Sequence, residues 1–312
     1  MPCLPRVPTI ASCPRSGSFA RVVTAAALSL ATFGASADCL PAAGQSKAAL
    51  LALKAQHWEL SAAQSANTLA PALLACLADP NPVLRDEIAF DAIQTWMRTN
   101  KLDAATVQAI RTRLLPELAA PDPQGFRQPF AALVLAEVAR VDRLKAILSP
   151  AERDELVQRA TEYLKGVRDY RGYDEREGWR HGVAHGADLV LQLSLNPLLQ
   201  RAQVLMLLSG VASQVVPPGD HAYHYGESDR LAAPVYYIAR NGWLTADDWE
   251  RWLMSLATRL PKGEAQTQAS LAARHNLSAF IASLYVSVRE AKEPRAELSL
   301  LPGLRLVMKT TG

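Results

Sequence analysis

Candidate helix N-caps recur at nearly equal intervals along this chain, and their spacing limits the fold more than any other feature of the sequence. The caps are Asp103, Ser149, Asn196 and Thr245, so successive caps lie 46, 47 and 49 residues apart. An amphipathic run precedes each cap, so each unit holds a first helix, a short turn and a capped second helix. Two helices in every ~40–47 residues are typical of HEAT-like repeats. The sequence therefore predicts an all-α fold, a HEAT-like α-solenoid of helix pairs with a period near 47 residues.

Residues 1–37 have the features of a secretory signal peptide. Arg6, Arg15 and Arg21 are followed by an apolar run (residues 22–33) and by an A-x-A pattern at residues 35–37. The apolar run is shorter than the ~20 residues that span a bilayer, and the alternative is an unstructured N-terminus. We therefore expect residues 38–312 to form a single helical-repeat domain, exported to the periplasm or secreted, with no transmembrane segment in the mature chain.

Two cysteines, Cys39 and Cys76, remain after cleavage of this segment. An even number of cysteines in an oxidising compartment favours a disulfide. We therefore expect a bond that ties the mature N-terminus to the first repeat. The alternative is two separate buried thiols.

The charge balance indicates no polyanionic partner. The formal net charge of the full chain is +3, and three of its arginines lie in residues 1–37. The mature chain is therefore close to neutral, without the basic surplus that nucleic acid or an anionic membrane surface attracts.

The stretch GYDEREGWRHGVAHGADLVLQL carries two histidines and an aspartate at helical spacing. His181, His185 and Asp188 would project from one face of a helix. They could bind a metal ion, zinc or another divalent cation, with a further ligand from Glu227, Asp229 or His224. Alternatively, a histidine near a helix N-terminus could act as a metal-free acid or base. In a third interpretation the two histidines only tie a loop to neighbouring helices, and the small residues between them allow close helix approach.

Long loops precede the first helices of the predicted units, and short loops follow them. Repeat proteins often use such a loop-bearing edge for recognition. Stacking would bring residues 181–188 next to residues 227–230, so we expect Glu227 or Asp229 within ion-pair range of His181, His185 or Arg180. The candidate binding residues are Trp179, His181, His185, Asp188, Glu227, Asp229, Arg230, Arg171 and Tyr173.

The same stretch resembles the signature of an uncharacterised bacterial family, domain of unknown function twenty-seven eighty-five. That signature has Arg-Gly-Tyr followed by Gly-Trp-x-His-x-x-Ala-His-x-Ala-Asp, and Arg85-Asp86-Glu87 is similar to its early Arg-Asp-Glu. Its other segments match loosely, at residues 125–130 and 227–230. The resemblance supports the fold and the place of the site, but it implies no reaction.

Two function classes follow from these observations. The first is recognition of an unknown protein, peptide or small ligand through the polar loop-bearing edge. The second is a metal-dependent or acid–base hydrolase-like enzyme that uses His181 and His185.

Overall fold

The computed structural model describes residues 39–40, 44–261, 263 and 267–311. The expected signal peptide at residues 1–37 lies outside these residues. Helices dominate the described part of the chain, which confirms the all-α prediction. None of these helices is both long and apolar enough to cross a membrane.

Twelve α-helices and one short hairpin can be followed through the described residues. The helices are α1 (Lys47–Ala55), α2 (Ala66–Leu73), α3 (Asp91–Arg98), α4 (Ala104–Leu114), α5 (Arg127–Lys145), α6 (Pro150–Gly166), α7 (Gly182–Ser194), α8 (Arg201–Val215), α9 (Glu227–Asn241), α10 (Ala246–Ala257), α11 (Gln268–Ala291) and α12 (Pro294–Thr311). A π-helix, Val83–Phe90, runs directly into α3, and 3-10 turns occupy Leu74–Ala78 and Pro116–Ala119. The hairpin strands are β1 (Tyr173–Asp174) and β2 (Gly178–Trp179).

Three of the four predicted N-caps are confirmed. The side chain of Asp103 accepts a hydrogen bond from the backbone N–H of Thr106 at 2.7 Å, at the start of α4. Ser149 opens a capping box at the start of α6, and Thr245 opens another at the start of α10. These side chains satisfy N–H groups that the first helical turn leaves without an intrahelical partner.

The predicted cap at Asn196 is wrong, because α8 begins at Arg201 and Gln200 caps it. The side-chain amide of Asn196 donates instead to the buried carboxylate of Asp142, at 2.8 Å. The side-chain carbonyl oxygen of Asn196 accepts a hydrogen bond from the backbone N–H of Leu198, and this bond closes a short turn before α8. A buried polar partner from α5 therefore outcompetes the capping role that the sequence suggests.

Alternate helices lie side by side through the middle of the chain. Helix α5 packs against α7, α7 against α9, and α9 against α11, while α6 packs against α8. The main partner of α10 is α12. Helices α5, α7, α9 and α11 therefore form a continuous layer, and the loops that enter α7 and α9 lie next to each other.

The disulfide prediction is confirmed. Cys39 is bonded to Cys76, and their α-carbons are 5.1 Å apart. The bond ties residue 39 to the 3-10 turn Leu74–Ala78. Both cysteines are buried in the core.

The hairpin was not predicted from the sequence. Its antiparallel pairing sets Tyr173 opposite Trp179, so two aromatic rings meet across the strands, with centroids 5.1 Å apart. Cross-strand aromatic pairs stabilise such short ladders. The long loop before α7 is therefore a defined structure and not an irregular connection.

Candidate functional site

Helix α7 begins at Gly182, so His181 lies directly before the helix on which the sequence places it with His185 and Asp188. His181 adopts a left-handed conformation, with φ of 55°. Its backbone N–H donates to the carbonyl of Arg171 at 3.2 Å, and its own carbonyl accepts the backbone N–H of His185 at 3.0 Å. Left-handed conformations are uncommon for residues other than glycine. The chain thus turns sharply from the hairpin into the helix at this histidine.

The predicted contact between residues 181–188 and 227–230 is confirmed by His181 and Glu227. The imidazole Nε2 of His181 lies 3.9 Å from Oε1 of Glu227, and both residues are buried, at 9% and 3% exposed. Glu227 also accepts the backbone N–H of Tyr225 at 2.8 Å. Burial lowers the pKa of His181, although the carboxylate of Glu227 opposes this shift.

Trp179 covers the His181 ring. The two rings stack with centroids 4.7 Å apart and planes 22° from parallel. Trp179 itself remains 38% exposed. The indole therefore separates His181 from solvent and presents an aromatic surface of its own.

His185 lies one turn deeper in α7. Its ring meets the edge of Phe130 at 5.2 Å and that of His181 at 5.8 Å. Burial, followed by the nearby His181, lowers the pKa of His185 to about 3. The side chain is therefore neutral at physiological pH, and its Nδ1 has no hydrogen-bond partner.

Asp188 and Arg230 form an ion pair between α7 and α9. Burial raises the pKa of Asp188, and the guanidinium of Arg230 opposes the shift. Asp229 is exposed, and Glu227 supplies the carboxylate that reaches the histidines. No group of three or more His, Cys, Asp or Glu side chains among the described residues could hold a metal ion. The metal set His181, His185 and Asp188 stays a prediction, with the Asp188 carboxylate engaged by Arg230.

The small residues of α7 allow close approach to α6. A Cβ on Gly186 would lie 2.7 Å from Cδ2 of Leu164, which is closer than packed carbon atoms come. The Tyr163 hydroxyl donates to the carbonyl of Gly182 at 3.0 Å. This close packing supports the interpretation in which the two histidines only tie a loop to neighbouring helices.

Arg85 of the π-helix anchors the hairpin. Its Nη2 donates to the backbone carbonyl of Glu177 at 2.6 Å and to the carboxylate of Asp86 at 2.8 Å. The guanidinium lies 4.0 Å from the ring centroid of Phe126, and that of Arg180 lies 4.3 Å from the same centroid. Such contacts between a guanidinium and an aromatic ring are attractive. The residues that resemble the family's Arg-Asp-Glu thus support the loop that carries Trp179.

An open cleft of about 520 Å³ lies between the hairpin loop and the loop before α9. Of the predicted residues, Arg171 and Tyr173 line it, and Trp179 touches two lining rings, those of Tyr173 and Tyr225. The lining residues are Tyr170, Arg171, Gly172, Tyr173, Asp174, Glu177, Arg180, His221, His224 and Tyr225.

Tyr225 packs directly on the backbone of Gly172. A Cβ at position 172 would lie 2.0 Å from Cδ2 of that ring. The glycine of the Arg-Gly-Tyr segment is therefore required so that the ring can lie against the peptide. The sequence offers no signal for this pair, because the two residues are 53 positions apart.

Helix α11 holds the second wall of the cleft. Asn276 accepts the backbone N–H of Tyr223 at 2.8 Å and donates to the carbonyl of His221 at 2.9 Å. Tyr170, which no sequence pattern indicates, stacks on His221 with centroids 5.1 Å apart. Both walls are therefore fixed by side chains that only the tertiary fold brings together.

The family model described as "Protein of unknown function (DUF2785)" matches residues 116–286. The chain belongs to this family. The matched region holds both walls of the cleft and the two histidines, whereas Arg85 lies before it. No curated protein and no solved structure gives a significant match.

Proposed function

We propose that this protein is a recognition protein that binds a ligand in the cleft between the hairpin loop and the loop before α9. The observation that carries the proposal is the cleft itself, an open space of about 520 Å³ between two walls. Ligand pockets are typically concave, ordered before binding, and lined by aromatic groups with a few polar ones. The walls of this cleft are ordered before binding, because Asn276 holds the loop before α9 and Arg85 holds the hairpin loop through hydrogen bonds.

The proposal includes the scaffold and the location of the protein. The layer formed by α5, α7, α9 and α11 supports a solenoid of helix pairs, in which the loops entering α7 and α9 form the recognition edge. The signal-like residues 1–37 and the disulfide between Cys39 and Cys76 support export to an oxidising compartment.

In this proposal the two histidines support the cleft and do not perform chemistry. His181 is covered by Trp179 and backed by Glu227, and His185 lies deeper still. A general base must come within hydrogen-bond reach of the proton that it removes. Neither histidine lines the cleft, and the indole of Trp179 lies over the imidazole of His181.

Labelling with 5-fluorotryptophan tests the site of binding. The chain has six tryptophans, and Trp179 adjoins the cleft while Trp96 and Trp249 are fully buried. We expect a ligand from a panel of peptides and oligosaccharides to shift the fluorine resonance of Trp179, assigned with Trp179→Phe, and to leave the buried resonances unchanged. A panel that shifts no resonance, or shifts only buried ones, refutes the proposal.

Acid–base or metal-assisted hydrolysis is the second candidate. It is favoured by the approach of His181 to Glu227 and by the unpartnered Nε2 of His181 and Nδ1 of His185. Elemental analysis of the purified protein tests the metal-dependent form. Stoichiometric zinc that is lost in His181→Ala/His185→Ala would support it, and metal-free protein with an unchanged thermal midpoint in excess zinc would exclude that form.

A further inference from the structure

We propose that the ligand of the cleft is an uncharged carbohydrate. This inference rests on the proposed function, since it assigns a chemical class to the ligand of the same site. It follows from three properties of the walls, namely their charge, the arrangement of their aromatic rings and their free hydrogen-bonding groups.

The cleft offers no uncompensated positive charge. Arg171 is paired with the carboxylate of Asp169 through its Nε at 2.8 Å. Arg180 is paired with Glu177 at 2.6 Å, and its Nε donates to the carbonyl of Gln124. Burial lowers the pKa of His221, which keeps its imidazole neutral near pH 7. A phosphate, sulfate or carboxylate ligand would need a free cationic partner, so anionic ligands fit poorly.

The aromatic rings of the cleft do not form a cage for an ammonium group. Aromatic cages bind ammonium groups with the cation close to several ring faces. Here the centroids of Tyr173 and Trp179 are 5.1 Å apart, and those of Trp179 and Tyr225 are 5.7 Å apart. Rings this close are in direct contact, so no ammonium group fits between them. Their planes are inclined by 54° and 87°, so each exposed ring offers a face of its own.

An exposed aromatic face suits a sugar ring. Tyr173 is 49% exposed and Trp179 is 38% exposed, and His181 supports the indole from behind. The apolar C–H face of a pyranose can pack on an aromatic ring, while its hydroxyl groups point sideways to polar atoms. Tyrosine and tryptophan combine an apolar ring with a polar tip, which matches this two-sided chemistry.

The polar atoms of the walls are suited to hydroxyl groups. Among the residues that the structure describes, the hydroxyls of Tyr173 and Tyr225 and the indole Nε1 of Trp179 form no hydrogen bond with the protein. One carboxylate oxygen of Asp174 accepts the backbone N–H groups of Arg176 and Glu177, which orients the carboxylate at the cleft. A sugar hydroxyl can both donate and accept, so it can pair with each of these groups.

Isothermal titration calorimetry of the purified protein tests the inference. The probes are neutral hexasaccharides of glucose, xylose, mannose and N-acetylglucosamine, a sulfated hexasaccharide, and a lysine-rich and an acidic peptide. We expect at least one neutral oligosaccharide to bind, with an affinity that changes less than about twofold between low and high salt because the ligand carries no charge.

Variants connect that binding to the cleft. Tyr173→Ala should weaken it roughly five- to tenfold, the loss expected for one aromatic stacking contact. Tyr173→Phe keeps the ring and should retain most of the affinity. Tyr237→Ala is the matched control, because Tyr237 lies on α9 outside the cleft and contacts Arg240; its affinity should equal that of the unmodified protein.

The outcomes separate this inference from the proposed function. Tyr173-dependent binding of a peptide or of the sulfated sugar, without binding of any neutral sugar, overturns the carbohydrate assignment and leaves the cleft as a recognition site. Binding of a neutral sugar that Tyr173→Ala does not weaken also overturns the assignment to this cleft. The absence of any binding, together with an unshifted Trp179 resonance, overturns both.

Discussion

Replacing Gly172 by alanine should damage the cleft, because the new methyl group would occupy space that Tyr225 fills. The added Cβ would lie 2.0 Å, 2.3 Å and 2.6 Å from three carbons of that ring. The ring must move until its nearest carbon is at least 3.4 Å away, where van der Waals contact is ordinary. Gly172 does not have a left-handed φ, so the cost is steric and not conformational.

Such overpacking costs about 1–3 kcal/mol in a well-packed site. The displaced ring would also disturb its contacts with Trp179 and with His224, whose centroid is 4.2 Å from that of Tyr225. Urea denaturation followed by circular dichroism measures the loss of stability. Gly166→Ala is the control, because a Cβ there meets nothing within 4 Å at the end of α6; it should be neutral or stabilising by up to about 1 kcal/mol.

A double-mutant cycle makes the test specific. Tyr225→Ala removes the ring that the methyl group would strike, so Gly172→Ala should cost little in that background. The two substitutions should therefore be strongly non-additive, as residues in direct contact are. If Gly172→Ala costs as much without the ring as with it, the steric explanation is wrong.

Three further predictions concern stability. Between pH 6.5 and about 3, His185 takes up a proton in the unfolded chain but stays neutral in the folded one. The free energy of unfolding should therefore fall as the pH falls, by up to about 1.4 kcal/mol per pH unit. Urea titrations at several pH values should show that His185→Gln lacks this contribution. Replacing Cys39 and Cys76 together by serine should lower the free energy of unfolding by about 3–4 kcal/mol, because the bond closes a loop between residues 37 positions apart. An unchanged denaturation midpoint would contradict the bond. Gly186→Ala should lower the free energy of unfolding by about 1–2 kcal/mol, because the clash with Leu164 outweighs the gain in helix propensity. A variant as stable as the unmodified protein in thermal unfolding would argue against tight α6–α7 packing.

Local chemistry explains which parts of the fold were predictable. Asp103, Ser149 and Thr245 act on N–H groups three residues away, so the sequence alone contains both partners. Asn196 has the same local pattern, but its amide pairs with Asp142, which is 54 positions away. The sequence contains no sign of that partner, and the burial of Asp142 decides the outcome.

The candidate site likewise has features that the sequence predicts and features that only the tertiary fold reveals. The position of His185 and Asp188 on one helix that starts next to His181 was predictable, as was the contact of His181 with Glu227 on α9. The hairpin, the stacking of Trp179 on His181 and the packing of Tyr225 on Gly172 were not. These depend on loop conformations, and loops lack the hydrophobic period that locates helices.

The position of Arg85 explains how a segment more than ninety residues before the histidines can serve the same site. Its guanidinium is fully buried, which is costly unless each polar group is paired. Its Nη1 donates to the carbonyl of Asp79, and its Nη2 donates to the carbonyl of Glu177 and to the carboxylate of Asp86. Its Nε has no hydrogen-bond partner. Only the carbonyl of Glu177 lies outside the local segment, and it belongs to the hairpin. Arg85 therefore links the π-helix to the loop that carries Trp179 and Tyr173. Because this bond crosses more than ninety residues of sequence, it fixes the hairpin relative to the helices that precede α5.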